Sequence, residues 1–180
     1  MPRVLMLPIV VALFMTTTAV LAQHAEMMGH NPTGAMSVAD PRVRLSFPPA
    51  LQAHFLGNMR EHIQTVDAIL QALAEADFDQ ASRVAKENLG LDSPSAAGCK
   101  PSEAPAAGGA AKPADSMDAM MQLYMPEPMR QVGLAMHTAA SEFARVALEA
   151  KQHHDTTSAV AALAAVTQNC VACHSAYRVR

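Results

Sequence analysis

The end of the chain carries a cluster of two cysteines and a histidine that restricts the fold more than any other stretch. Cys170, Cys173 and His174 stand at positions i, i+3 and i+4. On an α-helix, residues with this spacing project from one face. The sequence therefore predicts a helix near the C-terminus that presents two thiols and an imidazole to a single partner.

The order Cys-x-x-Cys-His indicates the chemistry of that partner. It is the spacing of covalent haem attachment, in which two thiols bond to the porphyrin and the imidazole ligates the iron. A redox dithiol would be accompanied by a βαβ pattern, and a zinc site by a second Cys or His pair, and the sequence has neither. We therefore predict one haem c, bound covalently by Cys170 and Cys173, with His174 as the axial iron ligand.

The N-terminus has the pattern of a secretory signal peptide. A basic start at Arg3 precedes a short apolar run, and small residues lead to a cleavage site after Ala22. The apolar run is too short for a membrane span. We expect residues 1–22 to be removed, and the mature chain to be periplasmic and not membrane-spanning.

Two further segments carry no helical period. Residues 23–46 read as a disordered lead-in, and residues 91–115 as a long surface crossover loop rich in Pro, Ala and Gly. The lead-in contains His and Met residues, whose side chains suit Cu(I). A periplasmic copper-binding protein is therefore an alternative to a haem protein. Cys99, in the crossover, is left over from the haem motif, either as a thiol for an intermolecular disulfide or as an inert loop cysteine.

The remaining sequence predicts four helices, at about 48–74, 78–89, 127–150 and from 155 or 156 to the motif. Asp77 is the expected cap of the second helix, and Asp155 or Thr156 that of the fourth. In the fourth helix the expected buried face includes Val160, Leu163 and Val166 or Thr167. Hydrophobic content of 51% with only 4% aromatic residues favours close-packed helices over strands. The predicted class is all-α. In the first helix the apolar stripe expected to face a partner helix is Leu56, Met59, Ile63, Val66, Leu70 and Leu73. Phe55, His62 and Ile69 lie one residue to the side and are expected to broaden this face.

The motif at the C-terminus, followed by Tyr177-Arg178, resembles the cytochrome c′ family. The resemblance covers the chain from about Phe47 onward, apart from the crossover. It implies an antiparallel up-down-up-down four-helix bundle over 47–180 and homodimers formed through the first two helices. It also implies that Arg178 lies beside the haem edge and that Leu56, early in the first helix, overhangs the iron.

Leucine cannot ligate iron, so the resemblance implies a five-coordinate iron with an apolar distal side that binds NO or CO. Met59 lies one turn deeper on the same stripe, and a low-spin electron-transfer cytochrome with Met59 as sixth ligand is the alternative. Small redox proteins or diatomic gases are the expected partners. A net charge of −3 argues against nucleic acid as a partner. The sequence shows no pairing of a nucleophile with a base, so we do not predict an enzyme.

Overall fold

The computed structural model describes residues 39–101 and 116–179. The predicted signal peptide and most of the predicted lead-in, including its His and Met residues, lie outside these ranges. From Pro41 onward the described residues belong to one compact unit.

The described residues are mostly helical, which confirms the all-α class. In chain order the elements are β1 (Val43–Arg44), α1 (Pro49–Ala74), α2 (Phe78–Asn88), a 3₁₀ turn (Pro94–Gly98), α3 (Met117–Met120), a second 3₁₀ turn (Met121–Leu123), α4 (Glu127–His153), α5 (Thr156–Ala176) and β2 (Tyr177–Arg178). The two short strands pair in parallel, with Val43 opposite Tyr177 and Arg44 opposite Arg178.

The starts of the helices follow from local capping chemistry, as the sequence predicted. The Asp77 carboxylate accepts a hydrogen bond from the Gln80 amide at 2.9 Å, and α2 begins at the next residue. The Asp155 carboxylate does the same for the Ser158 amide at 3.1 Å at the start of α5. Such caps satisfy amides that have no partner inside the helix.

The main hydrophobic core lies where the four long helices come together. Helix α2 packs against α1 and α4, and α4 packs against α5. The largest fully buried side chains are Ile69, Phe78, Leu89, His137, Phe143 and Val166. Ser82 ties α2 to α4, because its hydroxyl donates a 2.7 Å hydrogen bond to the carbonyl of Ala144.

The apolar stripe predicted for the first helix is not the face that packs in this core. The buried residues of α1 are Leu51, Phe55, Asn58, Thr65, Ile69, Ala72 and Leu73. They include only Leu73 of the stripe itself, together with Phe55 and Ile69 of the residues expected to broaden it. Ile63 is 65% exposed and Leu70 is 48% exposed. The prediction was wrong for the remaining stripe residues because α1 carries apolar side chains on two adjacent faces, and the face with Ile69, Ala72 and Leu73 is the one that joins the main core.

The predicted surface crossover is corrected over its first part. Ala96 is fully buried and Gly98 is buried within the 3₁₀ turn, so residues 91–101 belong to the packed structure. A Cβ at Gly98 would lie 2.8 Å from the carbonyl oxygen of Asp118. Small residues therefore pack closely here instead of forming a solvated loop. Residues 102–115 lie outside the described residues.

The end of the predicted lead-in is corrected as well. Leu45 and Phe47 are 5% and 7% exposed, and the Phe47 ring stacks on Phe55 with centroids 5.1 Å apart. Residues 41–46 are ordered because β1 pairs with β2 and these alternate apolar side chains are buried.

Helix α5 buries little of its surface. Leu163 and Val166 are buried as predicted, whereas Val160, also predicted inward, is 45% exposed. Among the described residues α5 alone is long and apolar enough to cross a membrane, with a mean hydropathy of 1.2. Core helices and signal sequences meet the same criteria, so this property does not assign a membrane span.

Candidate functional site

The cysteines and the histidine of the motif occupy the last two turns of α5. Cys170 and Cys173 are half-buried and His174 is exposed. Burial raises the pKa of both thiols, and the neighbouring Cys170 thiol raises that of Cys173 further. Both cysteines are therefore protonated thiols at neutral pH. The predicted attachment residues stand together at the surface of one helix.

This surface borders a cavity of about 780 Å³ between α1 and α5. Ligand sites generally have volumes of about 300–1,000 Å³. The α1 wall includes Leu56, Met59, His62, Ile63 and Val66, and the α5 wall includes Val166, Cys170, Cys173 and His174. Four of the six residues of the predicted stripe, Leu56, Met59, Ile63 and Val66, thus line a cavity where they were expected to contact a helix. This explains why so much apolar surface of α1 and α5 remains exposed.

The inner wall of the cavity is rich in sulfur. Met121, Met125 and Met129 are each at most 5% exposed and line the cavity with Cys99. Methionine side chains are unbranched and polarisable, so they adapt to irregular apolar groups. These three methionines pack in one apolar cluster with Leu45, Phe47, Leu51 and Phe55 and at the same time line the cavity.

Cys99 also lines the cavity. A Cβ at Gly133 would lie only 2.4 Å from the Cys99 sulfur, so this thiol packs directly on the backbone of α4. Burial, with a further contribution from Cys173, raises the pKa of Cys99 to about 11. The sequence left the role of this cysteine open, and its spacing gave no sign that it would lie near the motif.

Two histidines that the sequence did not assign to the site, the half-buried His62 and the buried His137, complete the inner wall. The rings of His62 and His137 stand edge to face with centroids 5.9 Å apart. His62 Nε2 lies 3.0 Å from the Ser95 hydroxyl, and His137 Nδ1 lies 2.8 Å from the Leu89 carbonyl. Burial is the main cause that lowers both pKa values, to about 4 for His62. Both imidazoles are therefore neutral at pH 7, and the predicted apolar wall carries two polar groups.

One end of the cavity is cationic. Arg42, just before β1, and Arg178, in β2, line the rim beside His174. The described residues that line the cavity include no aspartate or glutamate. The cavity is consequently an apolar space with two guanidinium groups at one end.

His54, which the helical pattern predicted to be a surface residue, lies outside this cavity and is held by an acidic partner. Its Nε2 is 2.8 Å from Asp118, which also accepts a 2.7 Å hydrogen bond from the buried Asn58 amide. This polar cluster joins α1 to α3. It fixes the wall of the cavity rather than contributing a ligand.

These residues fit a haem group. Two thiols and an imidazole share one helix face, an apolar space adjoins them, and cations stand at one end where carboxylates could be bound. Comparison with protein families, curated proteins and solved structures found no match to the chain. The chemistry of the site is therefore argued from the residues themselves.

Proposed function

We propose that this chain is a periplasmic monohaem c-type cytochrome that resembles cytochromes c′. The single observation that supports this best is the apolar cavity against the face of α5 that carries Cys170, Cys173 and His174. In this proposal the four long helices form an up-down-up-down bundle. The two thiols hold the porphyrin as thioethers and His174 ligates the iron.

The bound haem would supply a redox-active iron with an axial position open to small ligands. The chain's own residues orient and shield it. His174 is fixed at the end of α5, where its backbone carbonyl accepts a 3.3 Å hydrogen bond from the Arg42 guanidinium. Leu56 and the methionines exclude water from the other side of the cavity. Such surroundings favour electron transfer and the binding of neutral NO or CO over substrate chemistry.

The test of haem attachment is intact-mass measurement of the exported protein, with and without Cys170→Ala and Cys173→Ala. We expect the added mass of one haem, lost in the double variant. A haem stain after denaturing electrophoresis provides an independent readout. Exported protein without added mass would overturn the proposal.

Met59 supports a second candidate, because its side chain lines the same cavity as His174. In that case the iron would be six-coordinate and low-spin, and the protein would act in electron transfer alone. Visible spectra of both oxidation states distinguish the two. We expect a high-spin spectrum, rapid CO binding and no spectral change in Met59→Ala, with Leu56→Ala as the matched variant at the neighbouring position. Loss of a methionine-to-iron band in Met59→Ala would favour the second candidate.

A further inference from the structure

The cationic end of the cavity is built by a segment that lies outside the helices. Arg42 precedes β1, and β1 pairs with the two residues of β2 that follow the haem-binding motif. Leu45, beyond the strand, is 5% exposed and anchors the segment in the apolar cluster. The position of Arg42 is therefore set by strand pairing and burial.

Arg42 is also bonded to the helix that carries the motif. Its Nη1 donates a 3.3 Å hydrogen bond to the backbone carbonyl of His174, and the amide of Leu45 donates a 2.8 Å hydrogen bond to the carbonyl of Arg178. The first bond ties the Arg42 side chain to the end of α5, and the second ties the chain after β1 to the backbone of Arg178, whose residue also lines the cavity. A guanidinium has five N–H donors in a planar fork, so one arginine can bind a backbone carbonyl and a carboxylate together.

A ligand that fits this cavity needs an apolar body and anionic groups at one edge. The lining contributes two guanidinium groups, and its described residues include no aspartate or glutamate. Haem has this form, because its porphyrin is flat and apolar and carries two carboxylates on one side. Arginine is the residue best suited to planar recognition of a carboxylate.

We propose that Arg42 binds a carboxylate of the haem alongside Arg178, which makes the segment from Pro41 to Leu45 part of the haem site. This inference rests on the proposed function. Arg42 is exposed, and exposed charge pairs contribute less than buried ones, so we expect its loss to weaken haem binding by about tenfold.

The test compares haem with haem dimethyl ester, in which both carboxylates are masked. Full-length protein carrying Cys170→Ala and Cys173→Ala binds the two compounds reversibly, and titration of the visible absorption gives each Kd. We expect Arg42→Gln to raise the Kd for haem about tenfold and to leave the Kd for the ester unchanged. Arg42→Lys should give an intermediate Kd for haem.

Arg44→Gln is the matched control, because Arg44 belongs to the same strand but does not line the cavity. It should leave both Kd values unchanged. Equal Kd values for haem in Arg42→Gln and the parent would overturn the inference. An equal rise in the Kd of Arg42→Gln for haem and for the ester would also overturn the inference. That result would mean that Arg42 only holds the strand or complements the dipole at the end of α5. Failure of the proposed function is distinguishable from failure of this inference, because it shows as exported protein with both cysteines intact and without the added mass of haem.

Discussion

The contact between Cys99 and Gly133 allows a quantitative test of how the inner wall is packed. A methyl group at Gly133 would lie 2.4 Å from the Cys99 sulfur, which is far inside van der Waals contact. Such overpacking typically costs about 1–3 kcal/mol. Without the clash, Gly→Ala inside a helix would stabilise the protein by about 1 kcal/mol.

We therefore expect Gly133→Ala to lower the free energy of unfolding by up to about 2 kcal/mol in the parent. In a Cys99→Ala background the nearest atom would be the Cβ at position 99, at the ordinary contact distance of 3.4 Å. There the same substitution should raise the free energy of unfolding by about 0.5–1 kcal/mol. The coupling energy between the two sites should be about 2 kcal/mol, well above the usual scatter of additivity.

The assay is urea unfolding of the haem-free protein under reducing conditions for all four members of the double-mutant cycle. The slope of each transition must stay constant for the comparison of midpoints to hold. Gly57→Ala serves as the control, because a Cβ there would meet only Arg60 at 3.9 Å, so it should stabilise both backgrounds equally. Additive effects within about 0.5 kcal/mol would show that the Cys99 sulfur does not lie against α4.

Two further predictions concern stability. The pKa of His62 is lowered by burial from 6.5 to about 4, so below pH 6.5 the unfolded chain binds more protons than the folded one. Stability should fall by up to about 3 kcal/mol between pH 6.5 and 4, and urea midpoints of His62→Gln should show a flatter dependence. Ala76, after α1, has a left-handed φ of 56°, a backbone conformation that glycine adopts without strain. Ala76→Gly should therefore raise the free energy of unfolding by about 0.5–1 kcal/mol and with it the melting temperature. A lower melting temperature would show that Ala76 is not strained.

The parts of the fold that depend on local chemistry could be predicted from the sequence. Asp77 and Asp155 cap helices at the predicted residues because their bonds reach only three residues along the chain. Pro49 is at the first turn of α1 for the same local reason, since its ring fixes a helical φ. The predicted attachment residues Cys170 and Cys173 also share one helix face through local spacing alone.

The parts that depend on contacts between distant residues could not be predicted. Two adjacent faces of α1 are apolar, and only the packing of α2 and α4 decides that Ile69 is buried while Ile63 lines a cavity. His62 and His137 meet through tertiary packing, with no spacing that links them. The turn around Ala96 reads as a linker because small residues have little hydropathy, although their size is what allows close packing.

The pairing of β1 with β2 has a consequence for the order in which this protein assembles. Arg42 and the carbonyl of His174 are 132 residues apart in sequence. Closing so long a loop costs conformational entropy, so pairings between residues far apart in sequence form slowly. The helices should therefore come together before β1 pairs with β2. Until then the end of the cavity beside the strands stays open. If the protein binds haem as proposed, the haem would enter before the segment from Pro41 to Leu45 pairs with β2.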